Sequence, residues 1–189
     1  AGKNFVGGIL ERKGFSVLDV DKLGHAALEN QKSIIAERFG AGVLSADGTV
    51  NRRVLGECVF GRQDELDALE KIVHPEVNKL TLDWIEVHGK RPCVINAALL
   101  HKSCVFTRLD AVIFVKAPLA ARMLRARRRD RLSWKEIRRR FASQKFNVYY
   151  SGQKTDIYYI NNGGFDFFLR LNRFVLEKRV EKILTVLNG

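Results

Sequence analysis

Residues 1–21, AGKNFVGGILERKGFSVLDVD, decide how the rest of the chain is read. Gly2 and Lys3 precede a polar residue and then an apolar helical pattern that runs to Gly14, where a glycine can close the helix. In a phosphate-binding loop of pattern GxxxxGK[ST], successive backbone N–H groups surround an anion at a helix N-terminus. The lysine reaches the outer phosphates and the hydroxyl holds magnesium. Here Gly2, Lys3 and Asn4 match only the end of that pattern, and Asn4 offers an amide oxygen where a hydroxyl is usual. The alternative is an ordinary helix start with a solvated lysine. A helix of suitable length and the strand-like FSVLDV (15–20) behind it favour the loop. On that reading a central strand and the front of the loop are expected ahead of Ala1.

Composition narrows the class. The chain has 189 residues, 46% of them hydrophobic, enough for one good core and a smaller second lobe. No run approaches the roughly 18–20 apolar residues of a membrane span, and no apolar signal segment begins the chain. The three cysteines, Cys58, Cys93 and Cys104, are odd in number and lack CxxC spacing, so they are expected to be free, buried and inert, as suits a reducing cytoplasm. The net charge of +12 draws phosphate groups. Much of it is local: nine arginines fall within residues 122–140, RMLRARRRDRLSWKEIRRR.

Four stretches read as strands, at 15–20, 92–99, 111–117 and 157–161; the second and third are nearly continuous apolar runs, as in parallel strands covered on both faces. Helical patterns lie between them. DELDALEKIV and PEVNKLTLDWIEVHG read as two helices, with Pro75 in the first turn of the second and Gly89 closing it. Ser133 and Glu136 have capping-box spacing before SWKEIRRRFASQ, and residues 165–187 form a long amphipathic pattern. The expected fold is therefore three-layer α/β/α with a mostly parallel sheet. Its expected parts are a nucleotide-binding core (1–21, 91–118 and 151–189), a helical acceptor lobe (22–90) and an arginine-rich lid (119–150).

Asp19 and Asp21 sit at the carboxyl end of FSVLDV, where open α/β sheets bind ligands. Either can serve as a general base on a hydroxyl or simply cap the helix that follows. The arginine cluster is either a solvated face or a surface for polyanions. Only Trp134 and Phe141 are interleaved with it, too few for a nucleic-acid stacking platform. His25, His88 and His101 show no metal spacing and read as structural or surface residues; His74, ahead of Pro75, reads as a helix cap or a ligand contact. Tyr149, Tyr150, Tyr158 and Tyr159 read as packing residues.

Taken in order, the motifs resemble the dephospho-CoA kinases, a family of phosphate-loop kinases. GFSVLDVDKLGHAAL resembles that family's strand ending in Asp-x-Asp. ERFGAGVLSADGTVNRRVLGECVF resembles its FG…DG…R segment, with Arg52 at the arginine. LEKIVHPEV carries the His-Pro pair, RRDRLSWKEIRRRFASQ resembles the lid, and TDIYYINNGG resembles the late strand ending in Asn-x-Gly. The resemblance covers essentially the whole chain.

It implies ATP-dependent phosphorylation of the ribose 3′-hydroxyl of dephospho-CoA. Gly2, Lys3 and Asn4 would hold ATP phosphates, with Mg2+ at Asn4; Asp21 would be the base; Arg52 and His74 would hold dephospho-CoA. Arg129 and Arg140 would close from the lid, and Asn161 and Gly163 would lie near the adenine. Three departures stand out: ALLHK (98–102) where the family has PLLFE, Arg122 where a glutamine is common, and Asn4 itself. A nucleoside or nucleotide kinase of similar build, a basic nucleic-acid-binding protein, and a relative that binds without turnover are the competing readings. Self-association, including a homo-oligomer, is left open.

Overall fold

Apolar strand runs pair in parallel, and charged amphipathic helices fill the crossovers between them. A computed structural model describes residues 2–100, 103–130, 133–142, 156–162 and 169–187. The chain forms two compact units, one of residues 15–106 and one of residues 1–14 with 107–189.

In the first of these, β1 (Ser16–Asp19) pairs with β2 (Cys93–Asn96) in parallel, Ser16 opposite Cys93 and Asp19 opposite Asn96. The crossover between them is helical: α2 (Val20–Asn30), α3 (Lys32–Phe39), α4 (Arg52–Val59) and α5 (Gln63–His88), with a short 3-10 turn at Ala41–Val43. Ile35, Val43, Val50, Leu55 and Val59 are buried together, with Leu28, Phe39, Leu66, Leu69 and Ile72 packed around them. Polar groups fix the helix ends to this core. Glu29 accepts the Val50 N–H at 3.1 Å, and Glu76 accepts from the side-chain amides of Asn30 (2.7 Å) and Gln31 (3.2 Å). The turn before α4 is closed on Asp47, whose Oδ1 accepts the Thr49 hydroxyl (2.7 Å) and N–H (3.0 Å); these bonds hold its carboxyl below the usual range.

The two helices expected over 64–89 are one. α5 runs through Pro75, although an interior proline loses a backbone bond and costs about 3 kcal/mol. Packing overrides that cost: Leu66, Leu69, Ile72 and Val73 before the proline seat on the shared core, and Glu76 just after it is tied to Asn30 and Gln31. At its far end Trp84 and His88 stack at 4.4 Å, and Gly89 brings its N–H to 2.6 Å from the Ile85 carbonyl. A Cβ on Gly89 would lie 2.6 Å from that same oxygen, so the close approach requires glycine.

In the other unit, β3 (Ala111–Lys116) pairs with β4 (Asp156–Asn161) in parallel, Ala111 opposite Asp156 and Lys116 opposite Asn161. Among the described residues the four strands thus make two separate parallel pairs, and no strand joins them. α6 (Leu119–Asp130) and α7 (Trp134–Ala142) follow β3, and α8 (Leu169–Leu187) is the last described element. The capping box is as expected: Glu136 accepts from the Ser133 N–H (2.8 Å) and hydroxyl (2.6 Å), and the Glu136 N–H returns to the Ser133 oxygen (3.3 Å). Those bonds lower the Glu136 carboxyl's pKa. Tyr159 on β4 is more than half exposed, with the Lys116 ammonium over its ring, while Tyr149 and Tyr150 lie outside the described residues.

α1 (Lys3–Arg12) packs with α8. Val6, Ile9 and Leu10 are buried on α1, and Leu176, Val180 and Ile183 on α8 at the spacing of one helix face. Exposed pairs Arg12–Glu177 (3.0 Å) and Lys13–Glu181 (2.9 Å) rim the contact. The hydrogen bond and charge of Lys13 lower the Glu181 pKa, but solvent screens such pairs, so the apolar face dominates. Gly14, with φ 90°, follows the helix end as the sequence suggested. No helix among the described residues is long and apolar enough to cross a membrane.

Ile35 is wholly buried at the centre of the helical cluster. Ile35→Ala should destabilise the protein by about 2–5 kcal/mol, measured by urea unfolding. A loss below about 0.5 kcal/mol, the range of surface changes, would mean that this cluster does not hold the unit.

Candidate active site

The amino-terminal candidates meet at the start of α1. Gly2 has φ 107°, a left-handed conformation that favours glycine, and its carbonyl accepts the first helical bonds from Phe5 (3.1 Å) and Val6 (3.2 Å). The first turn itself contains no acidic residue, which suits an anion at its N–H groups. Lys3 Nζ donates to Asn4 Oδ1 at 2.9 Å. The lysine and the amide oxygen therefore share one spot beside the helix start, where a phosphate–metal pair would need both.

At the end of β4 the two asparagines part. Asn161 is exposed, and its carbonyl accepts from Arg179 of α8. Asn162, which the sequence reading passed over, is buried. Its N–H donates to the Lys116 carbonyl at 2.7 Å, and its carbonyl is 3.4 Å from both terminal nitrogens of Arg125 on α6. Gly163 lies outside the described residues, as do His101 and Lys102. Arg129 falls on α6 and Arg140 on α7; their side chains lie outside the described ones.

The acceptor candidates belong to the other unit. The chain turns into α2 directly after Asp19, whose carboxylate caps the helix by accepting the Asp21 N–H at 3.2 Å. Asp21 is exposed in the first turn, so the two carboxylates diverge and capping falls to Asp19. Arg52 opens α4 after the Asn51 cap, and its guanidinium meets His25 Nε2 at 2.8 Å. An arginine only donates, so His25 Nε2 is the acceptor in this contact. His25 lies one turn beyond Asp21 on α2, which makes it a further member of this group. Nothing in the local pattern pairs it with Arg52, 27 positions away.

His74 is in the middle of α5, not at a helix start, which removes the capping role considered for it. With Asp67, Glu70, Lys71, Pro75 and Asn78 it lines an open depression along one face of that helix. Ala98 and Leu99 of the ALLHK stretch are exposed. Cys104 is also exposed, against the expectation of buried cysteines, because it falls in a surface turn; Cys58 and Cys93 are half-buried, and all three are free. Among the described residues no three His, Cys, Asp or Glu side chains gather as a metal site.

A family model described as dephospho-CoA kinase matches residues 1–164. Curated dephospho-CoA kinases resemble the chain over most of its length. That of Bacillus licheniformis is 35% identical over 153 residues, covering 77% of this chain and 75% of its own. That of Dehalococcoides mccartyi is 32% identical over 149 residues (76% and 75%), and that of Treponema pallidum 31% over 175 (87% and 83%). A crystal structure from Thermus thermophilus aligns with 100% of this chain and 93% of its own at TM-score 0.77 and 30% identity. A dephospho-CoA kinase from Campylobacter jejuni, at 20% identity and TM-score 0.60 over 97% of this chain and 90% of its own, shares the fold. With a family match spanning the loop end, the Asp-x-Asp strand, the helical crossover and the arginine-rich helices, the chain belongs to the dephospho-CoA kinase family.

Proposed function

We propose that this chain transfers the γ-phosphate of ATP to the ribose 3′-hydroxyl of dephospho-CoA, releasing coenzyme A and ADP, with the start of α1 as the phosphate site. The observation that carries the reading is the geometry there: a left-handed Gly2, a first turn without acids, and the Lys3 ammonium against Asn4. In the transfer, the 3′-oxygen forms a bond to the γ-phosphorus, the bond from that phosphorus to the β–γ bridging oxygen breaks, and the hydroxyl proton passes to a carboxylate. Asp21 is assigned that proton. Asp19 is engaged as the helix cap, whereas Asp21 stands exposed one turn from the His25–Arg52 contact.

Arg52 and His74 are assigned to dephospho-CoA, Arg129 and Arg140 to the phosphoryl group in transfer, and Asn161 and Gly163 to the neighbourhood of the adenine. Phosphoryl transfer depends on positioning and charge neutralisation, which arginines on helices outside the loop can supply as the substrates bind. Residues 119–150 are accordingly assigned as a lid, 22–90 as the acceptor lobe, and the remainder as the nucleotide core. A nucleic-acid role for the arginines is less well supported. Arg127 lies over Trp134 and Arg122 over Phe141, so each of the two aromatic rings of the cluster is already engaged by an arginine of α6.

Magnesium fits as an ion carried in with ATP. Mg2+ keeps waters and substrate phosphates and needs few protein ligands, and Asn4 Oδ1 supplies one neutral oxygen. Bound there, it would neutralise phosphate charge. The free cysteines suit a reducing cytoplasm.

Coupled ADP release with ATP, magnesium and dephospho-CoA should show turnover, with adenosine and AMP inert as acceptors; turnover with a nucleoside instead would move the acceptor assignment. Asp21→Asn should lower kcat at least about tenfold, the lower part of the range for general-base catalysis, with ATP affinity nearly unchanged. An unchanged rate would remove Asp21 from the base role. Arg129→Ala should depress kcat more than it raises the KM for dephospho-CoA; a loss confined to that KM would make Arg129 a binding contact.

A further inference from the structure

Along β4 the side chains alternate, with Ile160 fully buried and Asn161 exposed, and the strand ends there. Asn162 follows it and is only 6% exposed. A buried amide is costly unless its groups are satisfied, so its surroundings deserve a close account. Its backbone N–H continues the β3–β4 ladder to Lys116. Its carbonyl and Oδ1 face the Arg125 guanidinium at 3.4 and 3.5 Å, the long end of hydrogen-bonding range. Its Nδ2 fills the space over Gly2: a Cβ built on Gly2 would lie 2.4 Å from that nitrogen. Position 2 is therefore restricted twice, by its φ and by the amide above it.

We propose that Asn162 is a positioning residue that sets the phosphate loop and α6 together. This rests on the assignment of Gly2–Asn4 to the phosphates of ATP. Gly2 starts α1, so a displacement of Gly2 moves the N–H groups of the first turn and the base of Lys3. Arg125 is one helical turn before Arg129, so the contact that fixes Arg125 also fixes the turn of backbone that bears Arg129. One side chain thereby places the group that receives ATP phosphates relative to the helix assigned to close on them. Asn162 itself need not touch substrate. A plain packing residue at this position would affect stability without preference between the two substrates.

The test compares Asn162→Ala, Arg125→Ala and the double variant in steady-state assays against both substrates, with thermal unfolding alongside. Asn162→Ala should raise the KM for ATP and lower kcat, each about tenfold, since a misplacement near 1 Å can cost up to about a hundredfold. The KM for dephospho-CoA should stay within about twofold, because its assigned contacts, Arg52 and His74, are in the other unit. Arg125→Ala should reproduce the fall in kcat, and the double variant should be little worse than the poorer single one, as residues acting through one contact are non-additive. Equal rises in both KM values, a lowered Tm with unchanged kinetics, or multiplying effects in the double variant would overturn the proposal. If Asn162→Ala does not fold, Asn162→Ser and Arg125→Lys make the same comparison. Lys3→Ala separates the two levels: unchanged ATP affinity there would overturn the loop assignment itself, whereas weakened ATP binding with a kinetically silent Asn162→Ala would overturn only the positioning role.

Discussion

At Gly2 the backbone turns left-handed directly beneath a buried amide, and an L side chain there would meet both an unfavourable φ and a nitrogen at 2.4 Å. From this point α1 takes its direction, because the Gly2 carbonyl receives the first two bonds of the helix. The apolar face of α1 then seats on α8, and the amide over Gly2 is held by the end of the β3–β4 ladder. Loop, helix and strand end are thus mutually constrained around an atom that is not there, the missing Cβ. The proposed phosphate chemistry depends on this constraint more than on any single charge. Lys3 is half-buried and Asn4 exposed, and their reach is useful only if their backbone is fixed.

The unit of residues 15–106 is built by a different rule. Its helices are short apart from α5, and carboxylates rather than glycines fasten them: Asp19 caps α2, Glu29 takes a backbone N–H from the turn before α4, and Glu76 links α5 to the α2–α3 junction. Asp21, not needed as the cap, stays on the surface near His25 and Arg52. The Asp-x-Asp spacing thus puts one carboxylate at the helix cap and the other, proposed as the base, in the exposed first turn of α2.

Most of the fold could be read directly from the chain. The four strands lie within a few residues of where β-branched and aromatic runs placed them, and the Ser133–Glu136 box closed as its spacing required. Those features are set by local chemistry. The misread features were set by tertiary contacts. Pro75 looks like a helix start in isolation, and only packing on both sides of it carries α5 through. In INNGG (160–164), two adjacent asparagines offer no local sign of which one is buried. A strand turns alternate residues to opposite faces, so one position separates an exposed Asn161 from a buried Asn162. Arg125 and His25 were missed for the same reason. Each gains its meaning from a partner 37 or 27 residues away.

The pairing of α1 with α8 joins residues 165 to 168 positions apart, whereas residues 15–106 form a continuous unit between them. During synthesis the continuous unit can settle as soon as it emerges, while α1 waits for its partner. At ordinary ribosomal speeds of 5–20 residues per second, that wait is roughly ten to thirty seconds. Throughout it, Val6, Ile9 and Leu10 lack the surface that later covers them. The nascent chain therefore carries a sticky amphipathic helix ahead of a unit that can already have settled, and the segment proposed to grip ATP is among the last to reach its final place.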